Sequence, residues 1–243
     1  MILITRPHEE AKVLEKELLK IGKECVTDSL ISFKFHFKKI PFEKNVLYLI
    51  SSSQSVKVLL KYKNKYRPLL KNGTFIVVGK KVATELTKIA SVKIIKVTKD
   101  SSDMKKFLFS QKQMKKKYKK IVFISGTIFN REFVTDLRKR GINIKRKILY
   151  TTLYKKRFMQ KTIRLFNQGQ VSQVVLYSIF TAKIFLKLLK LDGLEKKVGE
   201  VIPISLSNRI DIILKKSSLF RRTYISRSPN EKSIIRIIQS QKY

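Results

Sequence analysis

Tyr150 stands toward the end of an expected strand, Ile144 to Thr152, and is the single best candidate in this chain for proton transfer. A phenol donates a proton or a hydrogen bond without an activating neighbour, although the same position also suits a ring packed at a hinge. Around it the sequence repeats one device, a small or hydroxylated residue directly after a short apolar run. Thr5 and Arg6 follow the first run and Ser51 to Ser53 a later one; then come Gly79, the trio Ser125, Gly126 and Thr127, Ser178, and finally Ser205 with Ser207. Taken singly, each hydroxyl reads as an N-cap accepting its own helix's N–H groups. Their recurrence at strand ends, where helix N-termini present free amides, predicts a cleft of N–H and OH donors suited to a ligand with many carboxylates.

Other chemistries have little material. The chain carries no G-x-S-x-G elbow, no G-x-x-x-x-G-K-[ST] loop, no H-E-x-x-H and no G-x-G-x-x-G. Gly79-Lys80-Lys81 follows a strand but lacks the rest of a phosphate loop. Asp103, Glu132 and Asp136 fall on helical segments and read as solvated charges, and His8 and His36 read as a helix-start and a linker residue. Cys25, the one cysteine, and two histidines leave neither an internal disulfide nor a metal site to expect.

The elements that must position these groups alternate in type. Short β-branched or aliphatic runs are predicted as strands at Ile2 to Thr5, Cys25 to Phe33, Val46 to Ile50, Phe75 to Val78, Lys93 to Val97, Ile121 to Ser125, Ile144 to Thr152, Val171 to Tyr177, Val201 to Ile204 and Arg222 to Ser226. Helical segments separate most of them, which predicts α/β layering with mainly parallel sheets. In Glu9 to Ile21 the residues Ala11, Leu14, Leu18 and Ile21 make one apolar stripe, and Gly22 stops the helix. Arg131 to Gly141 repeats the pattern with Phe133, Val134 and Leu137.

One stretch breaks the alternation: Ser32 to Pro41 interleaves Phe33, Phe35 and Phe37 with Lys34, His36 and Lys38, and no helix follows. Paired antiparallel with Tyr150 to Arg157, it would join two lobes. The predicted organisation is a discontinuous α/β domain of residues 1–33 and 158–243, an inserted α/β domain of residues 41–150, and linkers 34–40 and 151–157. An internal echo, Tyr48 to Val56 against Val174 to Ala182, fits two similar lobes, each reading strand, serine, helix.

The apolar runs are much shorter than the ~20 residues of a membrane helix, and the first residues lack the pattern of a secretion signal, so a cytoplasmic protein is expected. A formal charge of +38, from 55 Lys and Arg against 17 Asp and Glu, draws polyanions. Lysines interleave with aromatics at Lys61 to Tyr66 and recur at Lys115 to Lys120, but no nucleic-acid motif is present, and cations spread along the whole chain read as a solvated surface.

The order of motifs resembles the uroporphyrinogen-III synthase family over nearly the whole chain. Thr5-Arg6-Pro7 is similar to its T-R-P signature, Ile50 to Val56 to its F-T-S-x-x-A-V turn, and Val78 to Leu86 to its V-G-x-x-T-A-x-x-L element. Leu149 to Thr152 resembles its V-Y-x-T strand, Tyr177-Ser178 its second F-x-S turn, and Ser228-Pro229 the S-P before its last helix. Val82, Phe180 and Ser205-Leu206-Ser207 depart from the pattern by replacing small or hydroxylated residues. The resemblance implies two flavodoxin-like lobes joined by a two-stranded linker, and an enzyme that cyclises hydroxymethylbilane to uroporphyrinogen III without a cofactor. It further implies a monomer open to hand-over of substrate from hydroxymethylbilane synthase, with Tyr150 as proton donor and Thr5, Arg6, Ser52, Gly79, Ser178 and Ser207 as substrate-binding residues. The alternatives are a basic nucleic-acid-binding protein and a family member that has lost catalysis.

Overall fold

Every residue of Val46–Ile50 is buried, so this strand requires cover on both faces of its sheet. Alternate side chains supply two separate cores: Val46, Tyr48 and Ile50 face one apolar cluster, Leu47 and Leu49 another. The computed structural model describes residues 1–88, 91–110, 116–228 and 230–240. Pro229 of the Ser228-Pro229 pair and Lys115 of the basic stretch lie outside the described residues.

The chain divides into two compact units, residues 1–32 with 153–243 and residues 33–152. In chain order the strands are β1 Ile2–Ile4, β2 Cys25–Thr27, β3 Ile31–Phe35, β4 Val46–Ile50, β5 Thr74–Val78, β6 Lys93–Thr98, β7 Lys120–Gly126, β8 Ile144–Tyr154, β9 Gln173–Leu176, β10 Ile202–Ser205 and β11 Tyr224–Ile225.

In the first unit the sheet order is β11-β10-β9-β1-β2, all parallel. The helices His8–Lys20 and Glu231–Ser240 cover the face carrying Ile2 and Ile4. Gln160–Asn167, Ile179–Leu191 and Asn208–Lys216 cover the face carrying Leu3, Val174 and Leu176. The order reverses direction between β1 and β9, which makes that pair the switch point where doubly wound sheets open a crevice.

In the second unit the order is β3-β8-β7-β4-β5-β6, with β4 to β8 parallel. Its switch point lies between β4 and β7. β3 and β8, on which the chain passes from one unit to the other, are paired at the edge of this sheet. The His36 N–H bonds the Leu149 carbonyl and the Lys155 N–H bonds the Leu30 carbonyl, so one strand's numbering rises as the other's falls and the pair is antiparallel.

Three expectations change. Cys25 to Phe33 is two strands in two different sheets: the chain turns at Asp28, whose N–H bonds the Ile4 carbonyl and whose carboxylate takes Lys155 and, at 2.8 Å, the Met159 N–H. The expected strand Arg222 to Ser226 shortens to Tyr224–Ile225, because only these two residues pair with β10. The first helix ends at Lys20, so Ile21 lies beyond it and is half-buried, while Ala11, Leu14 and Leu18 are buried as the stripe requires. Gly22 takes φ +67°, the left-handed stop read from the sequence.

Candidate functional site

At the switch point of the second unit, β4 runs out at Ile50 and the chain continues through Ser51 and Ser52 into the helix Ser53–Lys61. Ser52 is its N-cap, the Oγ accepting the Gln54 N–H at 3.1 Å. The same Oγ accepts the Tyr150 hydroxyl at 3.0 Å. Two donors thus converge on Ser52 Oγ, which leaves the serine's own hydroxyl proton to donate elsewhere. Tyr150 is 6% exposed, its ring edge-to-face with Phe33 at 5.6 Å. Burial raises its pKa, opposed by the Ser52 hydrogen bond, so it is a neutral phenol at physiological pH.

Gly126 seats that ring. A Cβ there would stand 2.8 Å from Tyr150 Cδ2 and closer still to Cε2 and Cζ, so the strand end must be glycine for the phenol to lie across it. The β7–β8 register shifts at this point, pairing Gly126 with Tyr150, and the Thr127 N–H bonds the Tyr150 carbonyl at 3.0 Å. Just past the end of β5, the strand beside β4, Gly79 takes φ +85° at the start of the helix Lys80–Thr87. Gly79 has no side chain to accept the first-turn N–H groups of that helix, and no side-chain cap bond is made there among the described residues.

The switch point of the first unit is differently filled. Thr5 is fully buried and donates to the Val175 carbonyl at 2.7 Å, clamping β1 to β9. Arg6 lies over the Tyr177 ring at 4.4 Å and pairs with Glu10 at 2.8 Å and Glu231 at 2.9 Å. Burial pushes the Tyr177 phenol up to about 12, against the pull of the Arg6 charge. Ser178 caps the helix Ile179–Leu191 through the Thr181 N–H at 3.0 Å. Ser207 opens the helix Asn208–Lys216 without a side-chain cap bond.

Of the residues singled out from sequence, the structure thus joins Tyr150 to Ser52, brings Gly79 to the end of the strand beside β4, and groups Thr5, Arg6, Ser178 and Ser207 at strand ends of the other unit. Sequence reasoning did not pick out Gly126 as Tyr150's seat, nor Tyr177, Glu10 and Glu231 as the partners of Arg6. The only signal for Gly126 was its place after a strand. Among the described residues no group of three or more His, Cys, Asp or Glu is placed to hold a metal ion, and no helix is long and apolar enough to cross a membrane.

These features define a doubly wound α/β protein of two parallel-sheet units, each with polar groups gathered at its switch point. The family profile described as uroporphyrinogen-III synthase HemD matches residues 12–236, and the chain belongs to the uroporphyrinogen-III synthase family. It is accordingly a cyclising lyase of tetrapyrrole biosynthesis. Uroporphyrinogen-III synthetase from Helicobacter pylori is similar over 99% of this chain and 99% of its own, with a TM-score of 0.65 at 17% identity. A mutant uroporphyrinogen III synthase from the extremely thermophilic bacterium Thermus thermophilus is similar over 99% and 100%, with a TM-score of 0.61 at 12% identity. At such identities the likeness is one of fold. A search of curated protein sequences gives no significant match.

Proposed function

We propose that the chain cyclises hydroxymethylbilane to uroporphyrinogen III with loss of water and inversion of the last pyrrole ring, and that Tyr150 and Ser52 act on the departing hydroxyl. The observation that carries this reading is the Tyr150 hydroxyl bonded to Ser52 Oγ at the switch point of a family member's parallel sheet.

Breaking the terminal C–O bond transfers its electron pair to oxygen, which needs a proton to leave as water. Ser52 offers its free O–H there, and Tyr150 behind it replaces the proton as it moves. A phenol with a raised pKa is a weak acid, so it gives up its proton only as charge develops on the departing oxygen, and it is reprotonated by the proton that the last ring releases on closure. What remains is a reactive, cation-like azafulvene that also closes without inversion. The enzyme's contribution to the ring outcome is therefore orientation. The substituted carbon of the last ring bonds to the azafulvene methylene first, and its bond to the preceding ring's methylene then breaks. That methylene re-bonds at the last ring's free α-carbon, which releases a proton.

Carboxylates on the substrate supply the handles. We assign their binding at Gly79 and Ser207 to open helix N-terminal amides. At Thr5 and Ser178 the side chains are already engaged, so backbone donors carry that role, and Arg6 would have to exchange a glutamate for a substrate carboxylate. We place the reaction in the cytoplasm, in a monomer. A substrate that closes spontaneously favours a short transfer, hence hand-over from hydroxymethylbilane synthase.

The basic surface does not favour nucleic acid. Tyr66, in the lysine-rich stretch, is buried with its hydroxyl bonded to the Lys38 carbonyl at 2.8 Å, so this ring offers no base-stacking platform. Incubation with hydroxymethylbilane, oxidation and resolution of isomers tests the function: type III in excess supports it, and product indistinguishable from spontaneous type I overturns it.

A further inference from the structure

Arg146 lies on β8 opposite Phe123 of β7, and its side chain runs along that strand to the strand's end. There Nε donates to Ser125 Oγ at 3.1 Å and Nη2 to the Gly126 carbonyl at 3.0 Å, while the guanidinium carbon sits 3.4 Å from the Phe129 ring centre. Three contacts fix a half-buried cation, and among the described residues none of them is with a carboxylate. Its Nη1 N–H groups have no protein acceptor among the described residues.

This differs from how the chain treats Arg6 and Arg157. With only 17 acidic residues, it still supplies Glu10 and Glu231 to Arg6 and Asp192 to Arg157. Around Arg146 the charge is instead reinforced. Arg131 opens the helix that leaves the same turn, and desolvation, then the nearby charges of Arg131 and Arg138, lower the Arg146 pKa from its usual value. A partly desolvated cation among like charges is completed by an anion, and a guanidinium matches a carboxylate in shape and charge.

We propose that Arg146, backed by Arg131, is a subsite for one carboxylate of the tetrapyrrole, at the end of β7 beside the Tyr150–Ser52 pair. The inference rests on the functional reading above and deepens it. Gly126 links the two sites: the Tyr150 ring lies against its α-carbon and Arg146 holds its carbonyl.

The test is fluorescence titration of uroporphyrin, the stable oxidised octacarboxylate, at several salt concentrations, against wild type, Arg146→Gln, Arg146→Lys and Arg131→Gln. Arg146→Gln is expected to weaken binding about tenfold and to flatten its salt dependence, with Arg146→Lys intermediate. Arg131→Gln is expected to weaken binding about threefold; being exposed, it keeps the test decisive should Arg146→Gln fail to fold. Unchanged affinity and salt dependence in folded variants would overturn the subsite while leaving the enzymatic reading intact. No binding of uroporphyrin by wild type would likewise overturn the subsite, while the isomer assay with hydroxymethylbilane separately decides the enzymatic reading.

Discussion

Tyr150 gives its hydroxyl proton to Ser52 Oγ across 3.0 Å, while the same oxygen accepts the Gln54 N–H that opens a helix. One atom thus serves the fold and, in the proposed mechanism, the chemistry. Ser52→Ala should cost about 1 kcal/mol of stability through the lost cap and lower kcat roughly 100-fold. Ser52→Thr, which keeps cap and hydroxyl, should recover most of both. Denaturant unfolding and steady-state kinetics on the two variants check this, and equal kcat in Ser52→Ala and wild type would dissociate the serine from catalysis.

Gly126→Ala introduces a methyl where the Tyr150 ring lies. The backbone there has no positive φ, so the conflict is one of packing. The ring must swing away from Ser52 or the strand end must shift, at about 1–3 kcal/mol. Kinetics should resemble those of Tyr150→Phe, with little further loss in the double variant, because both changes break the same hydrogen bond.

Stability at high pH follows from Tyr177. Its folded pKa, about 12, lies above the ordinary 10.0. Between pH 10 and 12 the unfolded chain releases a proton that the folded chain keeps, so this contribution is whole below pH 10 and lost as pH rises to 12. Across that window wild type should lose about 2 kcal/mol more than Tyr177→Phe. Unfolding free energies of the pair, measured side by side to cancel the lysine titrations they share, provide the comparison.

Glu231 begins the last helix and reaches back to Arg6 on the first strand's exit. With side chains 14% and 28% exposed, this pair is only partly screened. Glu231→Gln should destabilise its unit by about 1 kcal/mol and speed amide exchange in the helix Glu231–Ser240 ahead of the rest of the sheet. Uniform exchange across the unit would show that the pair does not fasten that helix.

The layered fold was legible because central parallel strands must be apolar on both faces, as in Val46–Ile50, and because helices over them must carry stripes such as Phe133, Val134 and Leu137, all buried. The split of Cys25 to Phe33 was not, since its aliphatic character runs on through the turn that Asp28 makes with partners over 120 residues away. Tyr150 and Ser52 could each be suspected from their strand-end positions, yet their 98-residue separation hid the bond between them. Arg146 was one cation among 55, and only its fixed contacts distinguish it.

The most direct measurement is a single-turnover assay with hydroxymethylbilane, comparing the type III to type I ratio formed by wild type and by folded Tyr150→Phe. Wild type should yield mainly type III, and the variant should fall toward type I as spontaneous closure overtakes a reaction slowed about 100-fold. An unchanged ratio and rate in the variant would contradict the role given to the phenol at the β4–β7 switch point.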